Sequence, residues 1–337
     1  MSAREEIQLE HFQFRDLHPY VYLGTASDRY AGWIGQIYSG ERYAGRISHR
    51  SKTVGGRPFV EEVLPVDSVG EYFRHFRILE LDFTFYGPLL DRDGKAVQNL
   101  HLLSTYSRYL KRDDRLILKV PQTIFARRLR RGGTYVENEQ YLNPHIFTNQ
   151  FYQPVLGVMG PWLAGLVFEQ EYQRKQERPS PRGLADELDV FFNAIPEDDR
   201  YHVELRTDTL LAPPVLEVLE RHGVGQVLSH WTWLPPLSRQ FTRSHGRFLN
   251  KGKTCVIRLM TPRGIRYEDA YARAYPFGAQ VDGMMNPEMV DDTVNIVRAA
   301  VKDEIRTHVI INNRSGGNAP SIAQKIAEKI LSELSEA

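Results

Sequence analysis

Eight short apolar segments recur along this 337-residue chain, and most of them lead into loop residues followed by a helical pattern. Several of the segments are rich in β-branched residues, which favour strands. Strands that alternate with helices form a parallel sheet, and eight such units close a barrel. The sequence therefore predicts an α/β fold, a (β/α)₈ TIM-type barrel that occupies residues 1–337 as one domain. The predicted strands cover 20–24, 78–83, 116–120, 163–168, 201–206, 225–229, 254–259 and 308–312.

Helical periodicity fills the spaces between these strands. One predicted helix opens at Pro213 and ends at Gly223, residue types that are typical of helix boundaries. The other predicted helices cover 100–110, 183–194, 286–306 and 319–334. Three more segments exceed what a minimal barrel needs, and we predict loop insertions over 40–65, 171–182 and 238–253. The first two leave strand ends directly, so we expect them near the C-terminal face of the barrel.

Composition narrows the functional classes. The formal net charge of +1 argues against a dedicated nucleic-acid binder, which usually carries a strongly basic domain. The single cysteine, Cys255, excludes an intramolecular disulfide and fits a reducing compartment. The N-terminus lacks the apolar core of a signal peptide, and the longest apolar stretch, 154–168, is too short and too interrupted to cross a membrane. We therefore expect a cytoplasmic protein without membrane contact, and the sequence does not indicate its oligomeric state.

Polar residues cluster at the C-terminal ends of the predicted strands, where barrels of this kind bind their ligands. Three of them are candidates for catalysis: Glu80, Lys119 and Glu204. Glu80, Asp82, Thr84 and Tyr86 alternate, so we expect them to share the interior face. The candidate ligand-binding residues are Tyr30, Asp82, Tyr86, Gln170, Arg206, His230, Arg258, Asn312, Asn313, Gly316 and Gly317.

These residue types suggest an enzyme or binder for a small anionic ligand that carries a phosphate or carboxylate group, with a sugar derivative as one candidate. Arg206 and Arg258 would hold the anion, Glu204 or Glu80 would act as general acid or base, and Lys119 would tune that group or polarise a carbonyl. The reaction would be hydrolysis, elimination or isomerisation without a nicotinamide cofactor. The alternative is an ion-pair layer that only fills the barrel.

The segment 312–319 contains Gly316 and Gly317 and leads from the last strand into a helix. Its backbone N–H groups and the helix N-terminus are suited to a phosphate or carboxylate, although an ordinary tight turn has the same sequence. A metal site is the less favoured option, with Glu80, Glu169, Glu204 and His230 as its ligands. The chain has no HxH, HExxH or cysteine cluster, and the neighbouring cations would repel a divalent ion, so we predict no metal and no other cofactor.

A second hypothesis is a module that binds nucleic acid or protein. It would use a basic cluster after the third predicted strand, formed by Arg127, Arg128, Arg130 and Arg131. A solvated charge run is the competing interpretation. Aromatic residues near the strand ends could stack on a sugar or base, or could pack under loops: Tyr30, Trp33, Phe85, Tyr86, Trp231 and Trp233.

Motifs at these strand ends resemble those of the YecE-like family, a domain-of-unknown-function group (domain of unknown function 72) with a barrel fold. The family's opening Gly-Thr-Ser-Gly-Trp-Ser-Tyr motif and its continuation are similar to residues 24–38, and Glu80-Leu-Asp-Phe-Thr-Phe-Tyr86 is similar to the second motif. Further matches are Gly24, Thr25, Tyr30, Trp33, Gly35, Tyr38, Lys119, Phe168, Gln170, Glu204, Arg206, Arg258, Leu259, Asn312 and Asn313.

The chain departs from the family pattern at the expected mouth of the barrel. Asp28 stands where the family has Trp, Asp82 where Asn is usual, and Thr207 and Met260 where His is expected. The resemblance therefore implies a divergent member with an altered ligand. It implies the fold and the position of the site, and no reaction.

Overall fold

Eight parallel strands close into a barrel in the computed structural model, which describes residues 11–334. The predicted (β/α)₈ architecture is confirmed. The strands in chain order are β1 (Val21–Ala26), β2 (Ser48–Val54), β3 (Arg57–Val63), β4 (Ile78–Leu81), β5 (Arg115–Lys119), β6 (Arg128–Arg131), β7 (Thr134–Glu137), β8 (Leu163–Glu169), β9 (Tyr201–Glu204), β10 (Gly225–His230), β11 (Thr254–Leu259) and β12 (Arg306–Ile311). Around the barrel the order is β1, β4, β5, β8, β9, β10, β11 and β12, and β12 pairs with β1.

Helices pack around the barrel. In chain order they are α1 (Gly40–Tyr43), α2 (Val69–His75), α3 (Gln98–Ser107), α4 (Gln122–Phe125), α5 (Gln153–Met159), α6 (Pro181–Ala194), α7 (Pro213–Arg221), α8 (Leu237–Arg243), α9 (Tyr267–Ala274), α10 (Pro287–Lys302) and α11 (Ala319–Leu334). Within the described residues no helix is long and apolar enough to span a membrane.

The barrel interior is built in three tiers, because alternate residues of each strand point inward. The bottom tier, at the N-terminal ends of the strands, contains Tyr22, His202 and His308. The middle tier is apolar and includes Ile78, Ile117, Val167, Val227, Val256 and Ile310. The top tier is charged, and it holds the candidate site. A dry apolar layer therefore separates the two ends of the barrel.

Two predicted features differ in the structure. The region 40–65 is not an irregular loop, since β2 and β3 pair there as an antiparallel hairpin. Part of 238–253 is helical, because α8 buries Leu237 and its Gln240 side chain bonds to the backbone of Ser229. A second hairpin, β6–β7, carries the basic cluster.

Candidate functional site

Arg258 lies at the centre of the top tier. It projects inward from β11 in register with Ser229 and Ile310 on the neighbouring strands. Its Nε and Nη2 atoms donate to the two carboxylate oxygens of Glu80, at 2.8 and 2.7 Å. Its Nη1 donates to Glu169, at 3.0 Å, and to Glu204. Arg258 thus directs four of its five N–H groups at three carboxylates, and its side chain is buried.

In the outer part of the network, Lys119 and Arg206 both contact the carboxylate of Glu169. Lys119 Nζ lies 2.6 Å from Glu169 Oε2, and Arg206 Nη2 lies 2.9 Å from the same oxygen. The side chains of Lys119 and Arg206 are 9% and 17% exposed, whereas those of Glu80 and Glu204 are fully buried. The network is therefore closed on its inner side and reaches solvent at Lys119 and Arg206.

Glu204 is also held from β10. Ser229 Oγ donates to its Oε1 at 2.6 Å, and Arg206 Nε lies 3.3 Å from that oxygen. Glu80 and Glu204 are fully buried and both contact Arg258, so they lie on the inner side of the network. Their general acid–base role and the anion contact of Arg258 stay predictions. Their arrangement fits the ion-pair layer that the sequence left open.

The pKa values of the buried groups in this network are shifted in different directions. Burial raises the pKa of the Glu80 carboxyl, and Arg258 only partly offsets this effect. Burial acts on Glu169 in the same direction, but Arg206, Lys119 and Arg258 outweigh it and hold the pKa of Glu169 below its usual range. Burial lowers the pKa of the Lys119 ammonium, against the opposing effect of Glu169. Burial therefore favours the neutral form of Lys119 relative to a lysine in water.

Aromatic side chains lie against Lys119 and Arg206, the two outer cations of the network. The Arg206 guanidinium lies over the ring of Trp231, at 4.9 Å from its centroid, and Lys119 Nζ lies 3.7 Å from the centroid of Phe85. Tyr172 packs 6.1 Å from Trp231 and 6.0 Å from Trp233. We call the exposed members of this border the aromatic rim, which consists of Tyr86, Tyr172, Trp233 and Tyr267.

Arg314, at the end of β12, was missed by the sequence prediction. Its guanidinium lies over Tyr267 at 4.4 Å, and its Nε is buried without a hydrogen-bond partner. Within residues 11–334 no carboxylate forms an ion pair with it, which makes it a free cation beside the rim. Asn312 positions it, since Asn312 Oδ1 accepts from the Arg314 N–H at 3.0 Å. The sequence signal that could have identified Arg314 is its position directly after the Asn312-Asn313 motif.

Asp82 and Tyr86 do not continue β4, because the strand ends at Leu81 and residues Phe83–Tyr86 form a 3₁₀ turn. Thr84 stabilises this turn by donating to the Lys119 carbonyl oxygen at 2.7 Å. The predicted alternation over 80–86 is therefore wrong. Asp82 instead accepts from Ser27 Oγ at 3.1 Å, and Tyr86 is 69% exposed on the rim.

The glycine turn is packed and not open. A Cβ at Gly317 would lie 2.6 Å from the Ala279 carbonyl oxygen, and Gly316 accepts from the Val281 N–H at 2.9 Å. Asn313 Oδ1 accepts from the Ala319 N–H at 2.8 Å, and also from Trp33 Nε1. The N-terminus of α11 is thus already capped, so the anion cradle predicted at Gly316 and Gly317 is not available.

The remaining predicted residues lie around the mouth without joining the network. His230 pairs in register with Leu259, whose side chain faces the helices, and burial lowers the pKa of His230 to about 4. His230 Nε2 and Gln170 Oε1 are both buried without a partner in the described chain. Tyr30 packs against Trp33 and Phe277, with ring centroids 4.9 and 5.3 Å away.

Two of the four arginines in the basic cluster form ion pairs with neighbouring acids. Arg127 pairs with Glu187, and Arg128 pairs with Glu177. Arg130 is exposed, and the side chain of Arg131 lies outside the described residues. A nucleic-acid surface needs free cations, so this pairing removes the main support for that hypothesis.

The described residues also contain no group of three or more His, Cys, Asp or Glu side chains arranged to hold a metal ion.

Comparison with known proteins identifies the family. The family model described as "Protein of unknown function DUF72" matches residues 22–336. This chain belongs to the DUF72 family. The resemblance to YecE-like proteins is thereby confirmed.

Two solved DUF72 structures have a similar fold, and each is 14% identical to this chain. The protein from Enterococcus faecalis has a TM-score of 0.57 over 93% of this chain and 95% of its own. The protein from Thermotoga maritima has a TM-score of 0.53 over 94% and 99%. Among curated proteins no significant match is found. Because the identity is only 14%, these two structures show that the fold is shared and carry no information about function.

Three of the four departures from the YecE-like pattern, Asp28, Thr207 and Met260, are buried in this DUF72 barrel. Asp28 accepts from Tyr106 at 2.9 Å, and burial raises its pKa to about 6. Thr207 accepts from the Gln173 N–H at 3.2 Å, and Met260 packs in the apolar interior. These positions therefore shape the walls of the barrel, and their side chains do not reach the exposed cations.

Proposed function

We propose that the C-terminal mouth of this DUF72 barrel binds a small ligand that carries a phosphate or carboxylate group on a sugar or similar ring. The observation that carries the proposal is the asymmetry of the ion network, which is closed around Arg258 and open at Lys119 and Arg206. The solvent contact of the network's cations is thus concentrated at Arg206 and, to a smaller degree, Lys119, which lie over the rings of Trp231 and Phe85.

The anionic group of the ligand and its ring would contact different residues of the mouth. Arg206 and Lys119 share the carboxylate of Glu169, so a ligand anion can replace part of that interaction at the solvent edge. Arg314 supplies a further guanidinium that forms no ion pair among residues 11–334. The exposed rings of Tyr172 and Trp233 offer flat apolar faces on which a sugar ring stacks.

Lys119 is the group that we assign to proton transfer. It combines a lowered pKa with contact to solvent, and Glu169 Oε2 at 2.6 Å holds its Nζ in place. Acid–base catalysis needs a group whose pKa approaches the working pH, and burial moves Lys119 in that direction. Glu80 and Glu204 contribute by fixing Arg258, which in turn fixes Glu169.

The test is a ligand panel that separates charge from ring. Thermal melts would compare glucose 6-phosphate, ribose 5-phosphate and gluconate with glucose and ribose. We expect a charged member to raise the melting temperature in a saturable way, since a ligand that binds the native state stabilises it. The rise should vanish in Arg206→Gln and persist in Arg298→Gln, whose arginine pairs with Glu333 on the outer helices. Equal rises in both variants would contradict the proposal.

A further inference from the structure

The opposite end of the barrel carries a second concentration of positive charge. Arg77, Arg115 and Arg306 stand at the N-terminal ends of β4, β5 and β12, and these strands lie together around β1. Arg115 is in register with the inward-facing Ile78, and Arg306 is in register with Thr254. Thr254 faces inward, since its hydroxyl contacts His202 at 3.1 Å. Arg115 and Arg306 therefore start from positions that point towards the barrel axis.

Tyr22 brings two of these arginines together. The guanidinium of Arg77 lies 4.8 Å from the centroid of its ring, and that of Arg306 lies 5.4 Å from the same centroid. The other arginine, Arg115, uses one Nη atom for the carbonyl oxygens of Arg112 and Asp114. Arg77 and Arg306 thus lie over one corner of the bottom tier, and Arg115 stands at the start of β5, the strand next to β4.

Carboxylates do not compensate this charge. In the described part of the chain, Arg115 and Arg306 form no ion pair, and Arg77 reaches only Asp16, at 3.5 Å, whose side chain is 84% exposed. The top tier is different, because each of its cations contacts a buried carboxylate. Like charges at close range repel each other, so this arrangement favours the arrival of an anion.

His308 supplies an independent observation. Its side chain lies in the bottom tier, stacked on Tyr22 with ring centroids 5.6 Å apart, and it is 1% exposed. Both of its ring nitrogens are buried without a hydrogen-bond partner among the described residues. A buried neutral imidazole has one N–H donor and one acceptor to satisfy, and leaving both unmet is costly. The neighbouring His202, in contrast, uses both nitrogens, towards Arg200 and Thr254.

Space for a ligand is present beside Arg115. An open groove of about 740 Å³ is lined by Arg112, Asp113, Arg115, Pro161 and Trp162, so Arg115 is the member of the three that borders it. Asp113 contributes one negative charge to the groove, and Arg112 and Arg115 contribute two positive charges. The lining therefore carries a net positive charge.

From these observations we propose that the N-terminal end of the barrel binds the phosphate group of a small ligand through Arg77, Arg115 and Arg306. Guanidinium groups match the geometry of phosphate oxygens with paired N–H donors. The apolar middle tier separates this site from the mouth, so the two sites bind independently. This inference goes beyond the proposed function and does not depend on it.

Isothermal titration with inorganic phosphate, pyrophosphate and tripolyphosphate tests the site. We expect saturable binding of at least one of these probes to the full chain. The double variant Arg115→Gln/Arg306→Gln should weaken that binding by about tenfold or more, since the phosphate loses two charged hydrogen-bond donors. Arg206→Gln, at the other end, should leave it unchanged. Because Arg306 is exposed, Arg306→Gln alone serves as a second variant if the double variant melts at a lower temperature.

A positional readout accompanies the titration. The ¹⁵N resonances of the His308 ring should shift as pyrophosphate is added, while those of His230 at the opposite end should not. Absence of saturable binding would overturn the inference, as would binding that the double variant retains. Loss of binding in Arg206→Gln alone would also overturn it and would assign the anion to the mouth instead.

Discussion

Arg258 and Glu80 form a two-point ion pair inside the barrel, with Nε–Oε2 and Nη2–Oε1 distances of 2.8 and 2.7 Å. The Arg258 side chain is 3% exposed, and that of Glu80 is fully buried. Burying a charged pair brings little net stability, but removing one partner leaves the other charge uncompensated. This ion pair holds Arg258 and Glu80 in place on the buried side of the network, whereas Lys119 and Arg206 lie on its outer side.

The first prediction concerns this pair. Arg258→Met should destabilise the protein by about 3–5 kcal/mol, because Glu80 and Glu204 lose their buried partner. The double variant Glu80→Gln/Arg258→Met should recover part of that loss, since one of the two stranded carboxylates is removed. Denaturant unfolding measures both values. A loss below about 1 kcal/mol in Arg258→Met would show that water or another group replaces the arginine.

The second prediction compares alanine substitutions at two glycines, Gly24 in β1 and Gly70 in α2. A Cβ at Gly24 in β1 would lie 2.0 Å from the Ile78 carbonyl oxygen, so Gly24→Ala must push β1 and β4 apart. We expect a loss of about 3 kcal/mol or more. Gly70→Ala in α2 is the matched control, because a Cβ there meets no atom within 4 Å. It should stabilise the protein by about 0.5–1 kcal/mol, and unfolding curves that rank the two variants equally would contradict the packing described.

The third prediction concerns Asp28. Burial raises its pKa from 3.8 to about 6, so the native state holds this proton more tightly than the unfolded chain does. Its contribution to stability is therefore complete below pH 3.8 and is lost as pH rises through 6. Asp28→Asn should stabilise the protein at pH 7.5 by about 2–3 kcal/mol and should have little effect at pH 4.

The exposed Glu139→Gln serves as the control for that measurement, and it should change stability little at either pH. If Asp28→Asn is equally stabilising at pH 4 and pH 7.5, titration of Asp28 is not the cause.

The fourth prediction concerns the aromatic rim. Trp233→Ala should weaken binding of a ring-bearing ligand by about fivefold to tenfold, since stacking on an aromatic ring contributes about 1 kcal/mol. It should leave the melting temperature without ligand nearly unchanged, because Trp233 is 49% exposed. Titration calorimetry gives the affinity, and an unchanged affinity would remove Trp233 from the site.

The sequence predicted the barrel because strand–helix alternation is a local pattern. It also placed Glu80, Lys119, Glu204 and Arg258 in the interior, since alternation along a strand determines which side chains point inward. It could not predict how many carboxylates Arg258 contacts, because that depends on register between strands distant in the chain. The shared contacts of Glu169 remained undetected for the same reason.

Errors arose where tertiary contacts override local pattern. The alternation over 80–86 resembled a strand, but Thr84 bonds to the Lys119 carbonyl oxygen and the chain turns after Leu81. The polar sequence of α8 resembled a loop, although Gln240 bonds to the backbone of Ser229 and anchors the helix. Gly316 and Gly317 fitted an anion site by composition, whereas the segment containing Val281 covers them.

Titration calorimetry of the sugar panel against the full chain and two variants tests the central claim most directly. The account predicts that a phosphorylated or carboxylated sugar binds with measurable affinity and that its neutral counterpart binds more weakly. Arg206→Gln should weaken binding of the charged ligand at the mouth by about tenfold or more, while Arg115→Gln/Arg306→Gln should leave binding at the mouth, measured with gluconate, unchanged. Charged and neutral sugars that bind alike, or an affinity that survives in Arg206→Gln, would contradict an anion site at the mouth of the barrel.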